Sequence, residues 1–308
     1  MSSRIDSVGT EIPGGAPLSK RSALTLTVRA ARKSLKRAGL EPKNIGLLIN
    51  GSIYKDENIG EPAVASFIQR DIEANPLSDG TLSTFSFDIL DGGCGLITGM
   101  EIIDGFISSG EIEHGIVVIS DVNPSSKYTI GFRFKNSAAA IVLSRSRNGS
   151  GFMGFRQYEY PDHRGEHKST VSFQKDPRRN ILGMRRMRNI LTIEETDEFA
   201  SLAVERTRGS FNRFLESQGL APEDIDLVIP SQYPVGLPRE IAKGTGIEES
   251  RVVTLPANYG TLYSTGPGFA LRWAMKKGLW DGAEDVIFAG FSPGMKVALA
   301  HYRNEIKG

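Results

Sequence analysis

The chain has 308 residues, 39% hydrophobic and 24% charged, with Lys plus Arg at 37 against Asp plus Glu at 36. This is a globular composition, long enough for two packed halves, and its charge gives no argument for nucleic-acid or membrane-surface binding. A single cysteine excludes an internal disulfide and a cysteine-rich zinc site, and four scattered histidines argue against a His-rich metal site, so no metal is expected.

Met1 to Gly14 carries no apolar stretch of signal-peptide type, and no apolar run approaches membrane-spanning length, so the expected location is the cytoplasm. In chain order, a long helix is predicted over 23–36. It ends at Gly39, and a turn with Pro42 leads to a strand over 45–50 with Ile and Leu at alternate positions. A shorter helix follows, then a strand over 84–90, a turn and helix over 94–109, and strands over 116–120 and 138–143. From 194 the same order returns: a helix over 194–216 ending at Gly219, a Pro turn, and strands over 225–230, 251–255, 286–289 and 296–301, with a helix over 261–277. Gly39 and Gly219 lie 180 residues apart, and one pattern surrounds both, so the period marks duplicated halves rather than a solenoid. The expected division is 1–150 for the first half, 151–193 for a connecting basic segment, and 194–308 for the second half. The connection contains Gly, Pro and the basic residues Lys175, Arg178, Arg179, Arg185, Arg186 and Arg188. Strands alternating with helices in this way form sheets covered by helices, the α/β class.

Phe85, Phe87 and Ile89 alternate as on a half-buried strand, Asp91-Gly92-Gly93 makes a sharp turn, and Leu96, Met100, Ile103 and Ile107 fall on one helical stripe. Cys94 is thereby placed at a helix N-terminus, where unpaired N–H groups and the helix dipole favour a thiolate. The geometry is analogous to the strand-turn-helix elbow that presents other nucleophiles. A lone cysteine so placed is either a nucleophile or a small buried hydrophobe.

The run from Asp91 through Cys94 to Glu101, with Ser109-Gly-Glu-Ile-Glu-His-Gly-Ile-Val-Val-Ile-Ser-Asp121 after it, resembles the nucleophile region of the ketoacyl-ACP synthase III family of the thiolase superfamily. It is also similar to the related enzymes that condense two long acyl chains. Asn136-Ser-Ala-Ala-Ala-Ile-Val-Leu143 and Gly290-Phe-Ser-Pro-Gly-Met295 resemble that family's Gly-rich strand turn and C-terminal loop. The resemblance implies a five-layered αβαβα thiolase fold and a homodimer, or a heterodimer with a ketosynthase homologue. It implies acyl transfer or Claisen-type condensation through an acyl group on Cys94. No cofactor is tightly bound on this reading; the substrate carrier is a phosphopantetheine thioester, on CoA or an acyl carrier protein.

The family's catalytic set departs at three positions. Its histidine falls on Ser231, which cannot act as an imidazole does, and its asparagine falls on Thr261, with Asn258 three residues away. Its oxyanion loop falls on Ser292-Pro293-Gly294; Pro293 has no N–H, which leaves Gly294 as the donor. Glu61, before Pro62, matches the glutamate that the long-chain condensing enzymes use as a base toward a partner subunit's site, and Arg178, Arg179, Arg185 and Arg186 suit a phosphopantetheine phosphate or a carrier protein. The alternative is a catalytically silent subunit that completes a heterodimer with an active homologue; the three eroded positions support it and the retained Cys94 elbow opposes it.

Overall fold

The computed structural model describes residues 2–14, 22–55, 61–74, 84–125, 127–147, 149–176, 183 and 187–305. Helix α1 (Ala23–Ala38) starts where Ser22 accepts the Thr25 N–H at 3.0 Å and stops at Gly39, whose φ of 68° an L side chain resists. Helix α4 (Phe199–Gln218) stops in the same way at Gly219, φ 67°. Each is followed by a 3-10 turn opened by proline, Pro42–Asn44 or Pro222–Asp224, and by a short, fully buried strand, β2 (Leu47–Asn50) or β10 (Leu227–Pro230).

Two sheets grow from those strands with one topology. The first runs β1 (Ser3–Glu11), β6 (Ser137–Arg145), β4 (His114–Asp121), β2, β3 (Phe85–Asp88); the second runs β7 (Gly151–Glu159), β12 (Lys296–Arg303), β11 (Asp285–Ser292), β10. Helices α3 (Gly95–Ser109) and α6 (Gly266–Lys276) lie between the sheets in one core with Ile49 and Val117 on one side and Ile229 and Phe288 on the other. Helices α1 and α2 (Val64–Ile72) cover the outer face of the first sheet, and α4 and α5 (Leu237–Thr245) that of the second. The layers are therefore αβαβα. Leu96, Ile97, Met100, Ile103 and Ile107 of α3 have no exposed surface, and burying each contributes roughly 1.5–3 kcal/mol.

The segment 151–193 is not a connection. Its first part is β7, which pairs antiparallel with β12 and belongs to the second sheet. Its remainder holds β8 (His167–Lys175), which pairs with β9 (Met187–Glu195); with β5 (Thr129–Ile130) they form a third, three-stranded sheet. The second half thus begins at Gly151, and β1 and β7 are equivalent edge strands, each with a bulge, at Asp6 and at Met153.

Candidate active site

The Cys94 elbow forms as the local sequence dictates. Strand β3 ends at Asp88, residues Gly92–Cys94 make one 3-10 turn, and α3 begins at Gly95. The turn is pressed against the end of β11. A Cβ on Gly92 would stand 1.8 Å from Ser292 Oγ, and one on Gly93 would stand 2.1 Å from the Phe291 carbonyl oxygen, so both positions require glycine; Gly92 also has φ 52°.

Cys94 has no exposed surface. Its Sγ–H donates to the Lys296 carbonyl at 3.6 Å, and its backbone N–H donates to the Asp91 carbonyl at 3.0 Å. Burial pushes the thiol well above its ordinary pKa and the Asp91 charge adds to this, while the Lys296 ammonium and the Ala298 N–H offset only part. The helix N-terminus alone predicts the opposite direction; burial under β11 and β12 decides it. Asp91 is held by Lys296 Nζ at 2.8 and 2.9 Å and by the Thr98 hydroxyl, which fixes the turn from both sides.

In front of the turn lies a cleft of about 470 Å³ lined by Tyr54, Asp91, Gly92, Tyr263 and Ser292 to Lys296, with Glu159, His167 and Ser169 among the remaining wall residues. Cys94 is not part of this lining. Gly92, Tyr263 and Ser292 stand together at the cleft wall. Phe134 stacks on Tyr263 at 4.8 Å and meets Tyr233 at 5.1 Å, an apolar block on the same side.

Of the residues singled out in the sequence, Ser292 and Gly294 reach this cleft, and Gly294, φ 117°, is exposed there. Ser231 is buried, and its Oγ accepts the Phe291 N–H at 2.9 Å. The Thr261 carbonyl accepts the Lys135 N–H at 2.8 Å, whereas Asn258 is exposed on a 3-10 turn and does not line the cleft. Glu61 is exposed ahead of α2 and does not line it either. Arg178, Arg179, Arg185 and Arg186 lie outside the described residues. Of their neighbours, Lys175 is exposed, and Arg188 stacks on Tyr128 at 4.7 Å.

Sequence reasoning missed Lys296, Tyr263 and a polar group around Glu195. Glu195 accepts from His167 Nδ1 at 3.0 Å and from the Tyr233 hydroxyl, and pairs with Arg133 at 3.2 Å. Burial raises the Glu195 pKa, but the His167 and Tyr233 hydrogen bonds and the Arg133 charge outweigh it and leave the carboxylate below its ordinary range. Tyr233 itself is pushed above the usual tyrosine value by burial and by that bond.

Five layers built from two like halves, with a buried cysteine at the N-terminus of a central helix, define the thiolase fold. Residues 215–303 match the family model described as 3-oxoacyl-[acyl-carrier-protein (ACP)] synthase III C terminal. A β-ketoacyl-[acyl-carrier-protein] synthase III from Caldanaerobacter subterraneus is 26% identical over 276 residues, covering 88% of this chain and 80% of that protein. The crystal structure of 3-oxoacyl-[acyl-carrier-protein] synthase III from Aquifex aeolicus superimposes with a TM-score of 0.78 at 20% identity, covering 98% of this chain and all of that one. Xanthomonas campestris OleA, solved with bound lauric acid and lauroyl-CoA, gives 0.78 at 18% identity over 99% of both chains. The chain thus shares its fold with these condensing enzymes and resembles the ketoacyl-ACP synthases III in sequence, most specifically over its C-terminal part.

Proposed function

We propose that this chain is an acyl-transferring enzyme of the condensing class, in which Cys94 takes an acyl group from a carrier-protein or CoA thioester and passes it to a nucleophile that needs no decarboxylation. The observation that carries this reading is the elbow: a cysteine at the N-terminus of α3, one glycine turn behind a cleft lined by the Ser292–Gly294 loop. Loading requires the Gly92, Tyr263 and Ser292 contact to open, because the thiol is fully buried. The Lys296 ammonium beside the turn then favours the thiolate. Rotation of the turn releases the Cys94 N–H from Asp91, and with the Gly294 N–H it forms the pair of donors that an oxyanion needs. Ser231 and Thr261 supply no proton acceptor of imidazole strength, which is why the acceptor is not a malonyl carbanion. The protein works in the cytoplasm as a dimer, and Glu61, lying off its own cleft, acts on a partner subunit's acceptor.

A second reading is favoured by specific contacts: a catalytically silent subunit paired with an active homologue. The raised thiol, the Cys94 N–H committed to Asp91 and the Ser231 Oγ committed to Phe291 all fit a site locked shut. Intact-protein mass spectrometry after incubation with acyl-CoA and acyl-carrier-protein thioesters of several chain lengths separates the two. The enzyme reading expects an added acyl mass that is lost in Cys94→Ser. No adduct with any thioester, and iodoacetamide labelling only after denaturation, makes the silent subunit the correct reading.

A further inference from the structure

The cleft in front of Cys94 contains a histidine in the arrangement of a general base. His167 opens β8 directly opposite Glu195 of β9, so the antiparallel register itself sets the pair. The imidazole side chain is 6% exposed, its Nδ1 lies 3.0 Å from Glu195 Oε1, and its ring packs 5.5 Å from that of Phe199. Glu195 is in turn held by the Tyr233 hydroxyl and by Arg133. With Nδ1 tied to the carboxylate, Nε2 has no partner among the described residues, and it is not an orphaned buried atom; His167 lines the same cleft as Gly92 and Ser292. A nitrogen fixed by a second-row carboxylate, with the other nitrogen open to a cavity, is the geometry that holds one tautomer ready to take a proton.

We propose that His167 is the acid/base of this cleft, with Glu195 as its positioning residue, replacing from the third sheet the imidazole that Ser231 lacks. The inference rests on the reading that Cys94 carries an acyl group. The step balances as follows. The acceptor's heteroatom attacks the acyl carbon and its proton passes to His167 Nε2; the carbon–sulfur bond breaks, and the Cys94 thiolate, which its burial makes strongly basic, takes that proton back as a thiol. With water as the acceptor the products are the free acid and restored Cys94. The charged and titratable groups facing His167 are Glu195, Tyr233 and Arg133 behind it, and Tyr54, Glu159, Asp91 and Lys296 around the cleft.

His167→Asn is the informative variant, because the asparagine amide can still donate to Glu195 while Nε2 is gone. Protein loaded with S-decanoyl-pantetheine is followed by intact mass as the adduct decays in water at a series of pH values. The wild type loses the adduct with a pH-dependent rate. H167N loses it on the order of 100-fold more slowly and without that pH dependence. Equal decay of H167N and wild type overturns the proposal. An independent arm needs no loading: in the full-length protein labelled at histidine, the ketone analogue of decanoyl-pantetheine is expected to move the ring resonances that H167N lacks. If those resonances stay put, the proposal fails even where Cys94 acylates; if they move while Cys94 never acylates, the acyl-enzyme reading alone fails.

Discussion

Ser231 Oγ accepts the backbone N–H of Phe291 at 2.9 Å, in a position with 1% exposure, and so ties the end of β10 to the end of β11 beside the Cys94 turn. The hydroxyl acts as a structural acceptor at the position where we propose that the resembled family carries an imidazole. Two outcomes follow from that one bond. Malonyl-ACP should not be decarboxylated at a useful rate, because the carbanion finds no cationic or amide donor at Ser231 or Thr261; carbon dioxide release is the measurement, and rapid release dependent on this chain refutes the placement. Ser231→Ala leaves a buried N–H without a partner and should cost about 1–3 kcal/mol in denaturant unfolding.

The contact of Gly92 with Ser292 makes a sharper test of how the elbow is locked. Gly92→Ala brings a methyl to 1.8 Å from Ser292 Oγ at a φ of 52°. The backbone strain alone is of order 1–3 kcal/mol. Ser292→Gly in the same chain removes the clash but not the strain, so the double variant should recover part of the lost stability and no more. Full recovery, or no loss in G92A, shows that the turn is not pressed on β11 as described.

Association is the next expectation. Strand β3 is the outer strand of the first sheet, no described strand pairs with its free side, and Phe85 and Leu90 are 52% and 76% exposed there. An unpaired edge with large apolar side chains is a surface that another chain covers. Sedimentation velocity at micromolar concentration should give a dimer, or a complex with a co-purifying homologue, and Phe85→Asp should weaken it at least tenfold. A monomer with nothing bound refutes this.

What could be read from the residues, and what could not, divides along physical lines. The α1 and α4 ends were legible because Gly39 and Gly219 sit between a helical stripe and an alternating strand, both local signals. Strands β1 and β7 were not. The bulges at Asp6 and Met153 break the period of two, so Ile5 and Val8, or Phe152 and Phe155, reach the same core three residues apart. The Cys94 elbow was legible from its turn, but the upward shift of its thiol pKa was not, since β12, whose Lys296 carbonyl meets the buried thiol, stands about two hundred residues away. The His167 and Glu195 pair depends on the register of β8 on β9, which no motif encodes.

The last prediction concerns Asp121, at the end of β4, which joins the two halves. It is fully buried and accepts from the Ser264 hydroxyl at 2.7 Å, the Thr265 N–H at 3.1 Å and the Thr265 hydroxyl at 3.3 Å, just ahead of α6. Burial pushes its pKa up to about 6, and these bonds offset only part of that rise. The folded value therefore exceeds the unfolded one, near 3.9, and between about pH 4 and 6 the native state binds the extra proton. Stability from this group is full below about pH 4 and falls as pH rises to about 6, by roughly 3 kcal/mol, then stays flat. Asp88 and Glu195, whose values are lowered, act in the opposite sense, so the test is a difference between two proteins. Asp121→Asn removes the titration while keeping the shape. Unfolding free energies of D121N minus wild type, taken by denaturant titration at several pH values, should rise by roughly 3 kcal/mol from pH 4 to 6 whatever the offset that the new amide introduces. Parallel curves would mean that Asp121 is ionised in the fold throughout.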